Sequence, residues 1–143
     1  MNDEKKVEMR DFFMPEDLIS SYSREQAIDD GVLVDVSSVA KEMGIRYPVA
    51  LSSGVFDECV SWSAEDDAKA QWPQDESGRL HDLVWLLTLA MRGAKPRQTR
   101  VRFELNRVPR PGMGEHRTVS LHAEVHGGDN GEPVVTVMLP NED

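Results

Sequence analysis

Hydrophobic residues change their spacing near residue 97, from the helical period of about 3.6 to the strand period of 2. The strongest helical pattern covers Ser77 to Arg92, with Ser77 as the expected N-cap and Gly93 as the expected stop. Its apolar stripe consists of Leu80, Leu83, Val84, Leu87 and Met91. Further apolar residues surround much of this helix, so we expect it to be central and packed on more than one side.

The second part of the chain contains three patterns typical of strands, two that alternate apolar and polar residues and a third whose two faces are both mostly apolar. They are "RVRFELNRV" from Arg100, "TVSLHAEVH" from Thr118 and "VVTVMLP" from Val134. A loop rich in proline and glycine separates the first two, and "GGDNGEP" predicts a turn before the third. This order predicts a three-stranded antiparallel meander, with one face under the long helix.

The first part of the chain predicts short, well-capped helices. One helix or turn is expected over Pro15 to Ser20, and another over Arg24 to Asp30, where Ser23 and Gln26 have the spacing of a capping box. Serines also precede two further helices, the first closed by Gly44 and the second running through "GVFDECVSW". Residues 63–77 predict a short capped turn and a surface loop, and "VLVDV" at 32–36 has the alternation of a fourth strand.

Together these patterns predict an α+β fold. Short N-terminal helices and one long central helix pack on a C-terminal three-stranded antiparallel β-meander, with a fourth strand at 32–36 as an option. We expect residues 1–11 to be a flexible charged leader and residues 12–143 to form a single domain, since 143 residues leave no room for a second one.

Composition places the chain among soluble proteins. Hydrophobic residues make up 39% and charged residues 29%, and no apolar run approaches the roughly 18 residues that a membrane-spanning helix needs. The first residues are charged where a signal peptide has an apolar segment. The single cysteine, Cys59, has no partner for an internal disulfide. These features predict a cytoplasmic protein without membrane contact.

Charge is distributed unevenly along the chain, whose net charge is −10. Residues 1–86 carry 19 acidic against 8 basic residues, whereas residues 87–143 carry 7 against 8. The acidic half predicts a docking surface for a protein partner, with Asp29, Asp30, Asp35, Glu65, Asp66 and Asp67 as candidate contacts. The stretch Arg92–Arg117 predicts an anion or nucleic-acid surface, with Arg100, Arg102, Arg107, Arg110 and Arg117 as candidates.

The arginine candidates have a second interpretation. Arg100 and Arg102 are expected to project with Arg107 or Arg110 from one strand face, but the stacking aromatic residues of nucleic-acid binders are absent there. These arginines are equally compatible with ion pairs to acidic helices of the same chain.

No motif is specific enough to predict a reaction, a metal or a cofactor. His122, Glu124 and His126 form H-x-E-x-H, but two strand positions four apart lie about 13 Å from each other, too far for one ion. His81-Asp82 fits a polar pair in the first turn of a helix. Cys59 falls on an apolar stripe, where a thiol is inert. The glycines of "RPGMGEHR" lack the lysine and hydroxyl of a phosphate loop and fit a solvated hairpin tip.

Several phrases of the sequence resemble a known group of proteins. They are "SYSREQAIDDGVLVDVS", "PVALSSGVFDECVSW", "DESGRLHDLVWLLTLAMR", "RFELNRVPR" and "DNGEPVVTVMLPNED". Over Asp11 to Asp143 the chain resembles a family of short bacterial proteins of unassigned function, encoded on plasmids, phages and other mobile elements. The resemblance implies a mobile-element origin and assigns no functional residue.

Three functions remain open at this point. The first is a non-enzymatic accessory protein that binds a host or plasmid protein, such as a defence or nucleic-acid-processing enzyme. The second is nucleic-acid binding through the Arg92–Arg117 stretch, which predicts steep salt dependence. The third is a small enzyme or small-molecule binder, which requires a pocket. The oligomeric state is not predicted.

Overall fold

The sheet of this protein has five strands in the order β1-β2-β5-β4-β3, as seen in a computed structural model that describes residues 22–71, 74–112 and 114–142. In chain order the described elements are α1 (Arg24–Asp29), β1 (Leu33–Asp35), α2 (Ser37–Glu42), β2 (Val49–Ser52), α3 (Ser53–Cys59), α4 (Ala64–Lys69), α5 (Glu76–Arg92), β3 (Arg100–Arg107), β4 (Arg117–Gly127) and β5 (Pro133–Met138). The leader at 1–11 and the helix expected over Pro15–Ser20 lie outside the described residues.

The predicted three-stranded antiparallel meander is wrong. Strands β3, β4 and β5 do pair antiparallel in that order, but β5 also pairs in parallel with β2, and β2 pairs antiparallel with β1. The sheet is therefore mixed. The strand expected at 32–36 is present as Leu33–Asp35, at the edge beyond β2.

Strand β2 escaped prediction because it has no period of 2. All four of its residues, Val49 to Ser52, are buried, and a strand covered on both faces does not need polar residues at alternate positions. Its last residue, Ser52, is also the N-cap of α3, since its hydroxyl accepts a hydrogen bond from the Val55 amide at 3.1 Å. In the sequence, the end of β2 therefore overlaps the capping residue of α3, and the helix is the easier of the two elements to recognise.

Most helices lie on one face of the sheet, and we call this the core face. Val84 and Leu87 of α5 and Val55 of α3 are fully buried there against β-branched and leucine residues of the strands. Helix α5 begins with Asp75 as its N-cap, not with Ser77, and Gly93 follows its last residue. Residues 64–69, expected as a turn, form α4 with a Ser63/Asp66 capping box.

The other face of the sheet, the second face, carries the even-numbered residues of β3 and β4. Helix α1 reaches this face, where the Arg24 guanidinium donates to the Thr136 hydroxyl at 2.7 Å and to the Val135 carbonyl at 2.9 Å. The predicted Ser23/Gln26 capping box at the start of α1 is confirmed, and Gly31 follows with a φ of +80°, which glycine adopts without steric cost.

Candidate functional site

Most candidate arginines pair with acidic residues of the same chain. Arg107 and Arg117 both donate to the Glu58 carboxylate of α3, Arg117 at 2.6 Å. Arg107 is only 9% exposed, and Glu58 is its ion-pair partner. Because a buried guanidinium needs a carboxylate to offset its lost hydration, this contact has a structural role.

A second ion pair joins the two groups of candidates directly. Arg110 donates to the Asp66 carboxylate at 2.6 Å. The same carboxylate accepts from the Ser63 amide at 2.9 Å, and the Ser63 bond, followed by the one from Arg110, lowers the pKa of Asp66. Asp66 thus caps α4 and anchors the β3–β4 loop.

Three further acidic candidates, Glu65, Asp67 and Asp30, also make contacts within the chain. Glu65 pairs with Lys69 at 3.3 Å, and Asp67 accepts from the Gln74 amide at 3.3 Å. Asp30 accepts from the Tyr22 hydroxyl at 2.7 Å, which raises the pKa of that tyrosine.

Asp35 and Asp29 occupy different surroundings. Asp35 accepts hydrogen bonds from the amide and the hydroxyl of Ser37, which begins α2. Asp29 is exposed beside Asp129 and Glu132, around a shallow cavity of about 200 Å³. The six acidic candidates therefore do not form one surface of free carboxylates.

Arg100 and Arg102 lie on the second face, whereas Arg107 lies on the core face, because residues of odd and even number alternate along β3. Arg100 contacts Glu124 at 3.4 Å. The five candidate arginines are thus divided between two faces of the sheet and the β3–β4 loop.

The cysteine and histidines considered as reactive groups do not come together in a catalytic arrangement among the described residues. Cys59 is buried, and its burial, reinforced by Glu58, raises the pKa of the thiol to about 11. His81 Nδ1 lies 2.8 Å from the Ser77 carbonyl oxygen of its own helix. His126 contacts the Thr136 hydroxyl at 2.8 Å, and the part of the chain that the structure describes contains no metal-ligating cluster.

One buried arginine was not singled out from the sequence. Arg79, in the first turns of α5, is 6% exposed; it donates to the Val60 carbonyl at 3.0 Å and to the Val108 carbonyl at 2.7 Å. Its guanidinium stands 5.0 Å from the centre of the Trp62 ring. Burial lowers the pKa of Arg79. The side chain joins the end of α3 to the end of β3.

An apolar groove lies beyond the end of α5, and we call it the Tyr47 groove. It consists of two adjoining cavities of about 350 and 240 Å³ that share Tyr47 and Met91. The first is lined further by Met43, Gly44, Ile45, Arg46, Thr88 and Arg92. The second is lined further by Ala94, Arg97, Gln98, Thr99, Val101, Ala123, Val125 and Val135. The floor of the groove is the core face of the sheet.

The charge around the Tyr47 groove is positive although the whole chain is acidic. Arg46, Arg92 and Arg97 line it, and none of the other described residues that line it is a carboxylate. All three arginines are exposed, and none forms an ion pair with a residue that the structure describes. Tyr47 at its centre is 41% exposed. The groove therefore offers apolar surface with uncompensated positive charge at its rim.

Arg97 adopts an unusual backbone conformation at this rim. Its φ is +70°, and the Gln98 amide donates to the Lys95 carbonyl at 3.0 Å, which closes a turn with Pro96 and Arg97 at its centre. Proline followed by a residue of positive φ is the pattern of a type II turn, where glycine is usual in the second place. An arginine in this position lowers the stability of the folded state by about 1 kcal/mol relative to an unstrained residue. Such backbone strain often marks a functional position.

The exposed ridge of α5 continues the apolar surface beside the groove. Trp85 is 48% and Leu89 is 45% exposed, and the Arg92 guanidinium stands 6.0 Å from the centre of the Trp85 ring. Since positions three and four apart share one side of a helix, these residues form a continuous ridge that ends at the groove.

Another, larger cavity of about 690 Å³ lies on the second face beside α1. Its arginine, Arg24, is already bonded to Thr136 and Val135, and Asp129 also lines it. Unlike the Tyr47 groove, this cavity has no unbonded arginine among the described residues that line it.

Sequence reasoning missed the Tyr47 groove because its residues come from several separate segments, including three strands of the sheet. Ile45 to Tyr47 precede β2, Met91 and Arg92 end α5, and Arg97 lies in the next loop. Trp85 and Leu89, apolar residues outside the main stripe of α5, were the signal in the sequence; it predicted packing on more than one side, but the structure leaves both residues exposed.

Within the described residues, no helix is both long and apolar enough to cross a membrane. Comparison with curated proteins and comparison with solved structures each gave no match. The model of a family of unknown function, DUF6573, matches residues 9–143, which is nearly the whole chain. The chain therefore belongs to the family of unknown function DUF6573.

Proposed function

We propose that this protein is a non-enzymatic binding module that takes up an acidic, apolar segment of a protein partner in the Tyr47 groove. The observation that carries the proposal is the set of three exposed arginines, free of ion pairs within the described residues, around an apolar groove in a chain of net charge −10. Arg107, Arg110 and Arg117 are instead paired with carboxylates of the same chain, so the three groove arginines are the ones placed beside apolar surface and available to an external anion.

The apolar surface supports a peptide ligand. Tyr47, Met91 and the nearby ridge of Trp85 and Leu89 offer aromatic and aliphatic anchoring positions. Interfaces gain most of their affinity from such anchors, while charges at the rim select the partner and its orientation. An amphipathic helix with carboxylates beside its apolar side chains would satisfy both parts of this surface.

The proposal narrows the hypotheses drawn from the sequence. Binding to a host or plasmid protein is kept, but the docking surface moves from the acidic half to the Tyr47 groove. We do not favour the nucleic-acid role of the Arg92–Arg117 stretch, because three of its arginines, Arg107, Arg110 and Arg117, form ion pairs with Glu58 and Asp66. A cytoplasmic location and a mobile-element origin belong to the proposal, and both rest on sequence features alone.

The proposal is tested by selecting peptides from a random display library on the full-length protein. We expect the selected peptides to combine Asp or Glu with large apolar residues. The double variant Arg46→Glu/Arg92→Glu should weaken their binding about tenfold or more, since two attractive contacts become repulsive. Binding should also weaken with added salt.

Lys69→Glu is the matched control, because it reverses an exposed charge on α4 outside the groove. It should leave peptide affinity unchanged. Selected peptides without an excess of acidic residues, or equal binding to the groove variant, would refute the proposal. Displacement of the peptides by a small carboxylate-bearing amphiphile at lower concentration would refute it in favour of a small-molecule site.

A further inference from the structure

Strand β3 is an edge of the sheet, and its outward side offers hydrogen-bonding groups along eight residues. The other edge strand, β1, has only three residues. A long edge strand is a ready template for pairing with another chain, and proteins either protect such an edge or use it.

The direction of the free groups on β3 follows from its pairing with β4. The Val125 amide donates to the Thr99 carbonyl at 2.7 Å, and Thr99 and Val125 continue the register that joins Arg100 with Glu124. In an antiparallel pair the hydrogen-bonded positions alternate, so odd-numbered residues of β3 bond to β4. The amides and carbonyls of Arg102 and Glu104 therefore point away from the sheet.

The side chains at the middle of this edge carry opposite charges and have no partner in the part of the chain that the structure describes. Arg102 and Glu104 are both exposed on the second face, and neither forms a hydrogen bond or ion pair with a residue that the structure describes. They stand two residues apart on the same face. An antiparallel second copy of the strand would bring the arginine of one chain beside the glutamate of the other.

We propose that the protein forms a symmetric dimer through β3, with the two β3 strands antiparallel and Phe103 at the two-fold axis. In this register Arg102 lies opposite Glu104 of the second copy, and Glu104 lies opposite Arg102 of the second copy. Each of these two pairs exchanges both of its backbone hydrogen bonds. The result is one continuous sheet of ten strands, since each copy contributes five.

The core face of β3 fits the same register. Val101, Phe103 and Leu105 retain 8 to 9% exposure, whereas Leu121 on the inner strand β4 is fully buried. In the proposed dimer Phe103 meets Phe103 of the second copy, and Val101 meets Leu105 of the second copy. Aromatic and aliphatic cross-strand pairs stabilise antiparallel strands.

Each neighbouring register brings like charges together. A shift by two residues in one direction places Arg102 opposite Arg102 of the second copy; Glu104 then faces Arg100, but the Arg100 carbonyl is already bonded within its own chain. A shift in the other direction places Glu104 opposite Glu104. Like charges at directly opposed positions are destabilising. At the start of β3 the Gln98 amide group already donates to the Arg100 carbonyl at 2.8 Å, which keeps the interface near Phe103. This inference does not depend on the proposed function.

The dimer is tested by sedimentation velocity of the full-length protein over a range of concentrations. We expect a reversible dimer for the wild type. Arg102→Glu should weaken dimerisation about tenfold or more, because both pairs in the two-fold interface become repulsive. Glu104→Arg should weaken it similarly, and the double variant Arg102→Glu/Glu104→Arg should restore it.

Amide exchange measured residue by residue provides a second readout. The outward amides of Arg102 and Glu104 should be protected in the dimer and exchange rapidly in Arg102→Glu. A wild type that stays monomeric at its highest soluble concentration would overturn the proposal. So would a dimer that both single variants leave unchanged, or one that the double variant does not restore.

Discussion

Arg107 and Arg117 lie directly opposite each other on β3 and β4, and both guanidinium groups donate to the same carboxylate oxygen of Glu58. Two like charges at opposed strand positions repel, and Glu58, brought by α3 onto the core face, converts this repulsion into a shared ion pair. The contact joins the helical layer to the far end of the β3–β4 hairpin.

Removing the charge of Glu58 should therefore destabilise the fold. Glu58→Gln keeps the shape of the side chain but leaves the nearly buried Arg107 without a counter-charge, so the free energy of unfolding should fall by about 2 kcal/mol. Denaturant-induced unfolding measures this change. The control Glu65→Gln removes the exposed pair with Lys69 and should cost at most about 0.5 kcal/mol. Equal effects of the two substitutions would contradict the structural role of Glu58.

Arg79 should tolerate no replacement, including the one that keeps its charge. Arg79→Lys has a single ammonium, which cannot reach the Val60 and Val108 carbonyls together, so one buried carbonyl loses its donor. We expect a loss of about 2 kcal/mol in the free energy of unfolding. Arg46→Lys, at an exposed position without an ion pair among the described residues, is the control and should leave stability unchanged. A stable Arg79→Lys variant would show that the two carbonyls find other donors.

Substitution of Arg97 by glycine should raise the stability of the fold and lower its affinity for peptides. Arg97→Gly relieves the positive φ and should stabilise the fold by up to about 1 kcal/mol, less the extra flexibility that glycine gives the unfolded chain. The same change removes a positive charge from the rim of the groove and should weaken the binding of the acidic peptides selected there.

Arg97→Ala separates the two effects, because it removes the charge and keeps the strained conformation. It should weaken peptide binding as Arg97→Gly does, without the gain in stability. Thermal unfolding and peptide titration of both variants give the comparison. A glycine variant less stable than the wild type would mean that the arginine makes a stabilising contact that outweighs the strain.

Cys59 should make stability depend on pH in the alkaline range. Burial raises the pKa of its thiol from 9.0 to about 11, so above pH 9 the unfolded chain releases a proton that the folded chain retains. The folded state then loses stability as pH rises from about 9 to 11, by about 3 kcal/mol in all. The neutral thiol should also resist alkylation until the protein unfolds.

Comparison with Cys59→Ala isolates this effect from other groups that titrate at high pH. The substitution costs stability at neutral pH because it leaves a small cavity, but the difference from the wild type should shrink between pH 9 and 11. Denaturant midpoints at several pH values provide the measurement. A difference that stays constant over this range would contradict a thiol with a raised pKa.

Short-range features were predictable because their causes lie within a few residues. Ser23 and Gln26 meet across one helical turn, and the alternation of β3 needs only its own eight residues to be recognised. The long amphipathic helix was predicted for the same reason, although Asp75, rather than Ser77, provides its cap. Neighbouring serine and aspartate residues compete for that position, and the local pattern does not decide between them.

The sequence by itself determined the capped helices, the alternating strands and the concentration of acid in the first half of the chain. Only the tertiary structure decided that Val49–Ser52 is an inner strand in parallel with β5, because burial on both faces removes the alternation that marks a strand. It also decided that Glu58 meets Arg107 and Arg117, and that Tyr47 lies beside Met91 and Arg97. Those contacts join residues far apart in the chain, so they follow from how the layers pack and not from any local spacing.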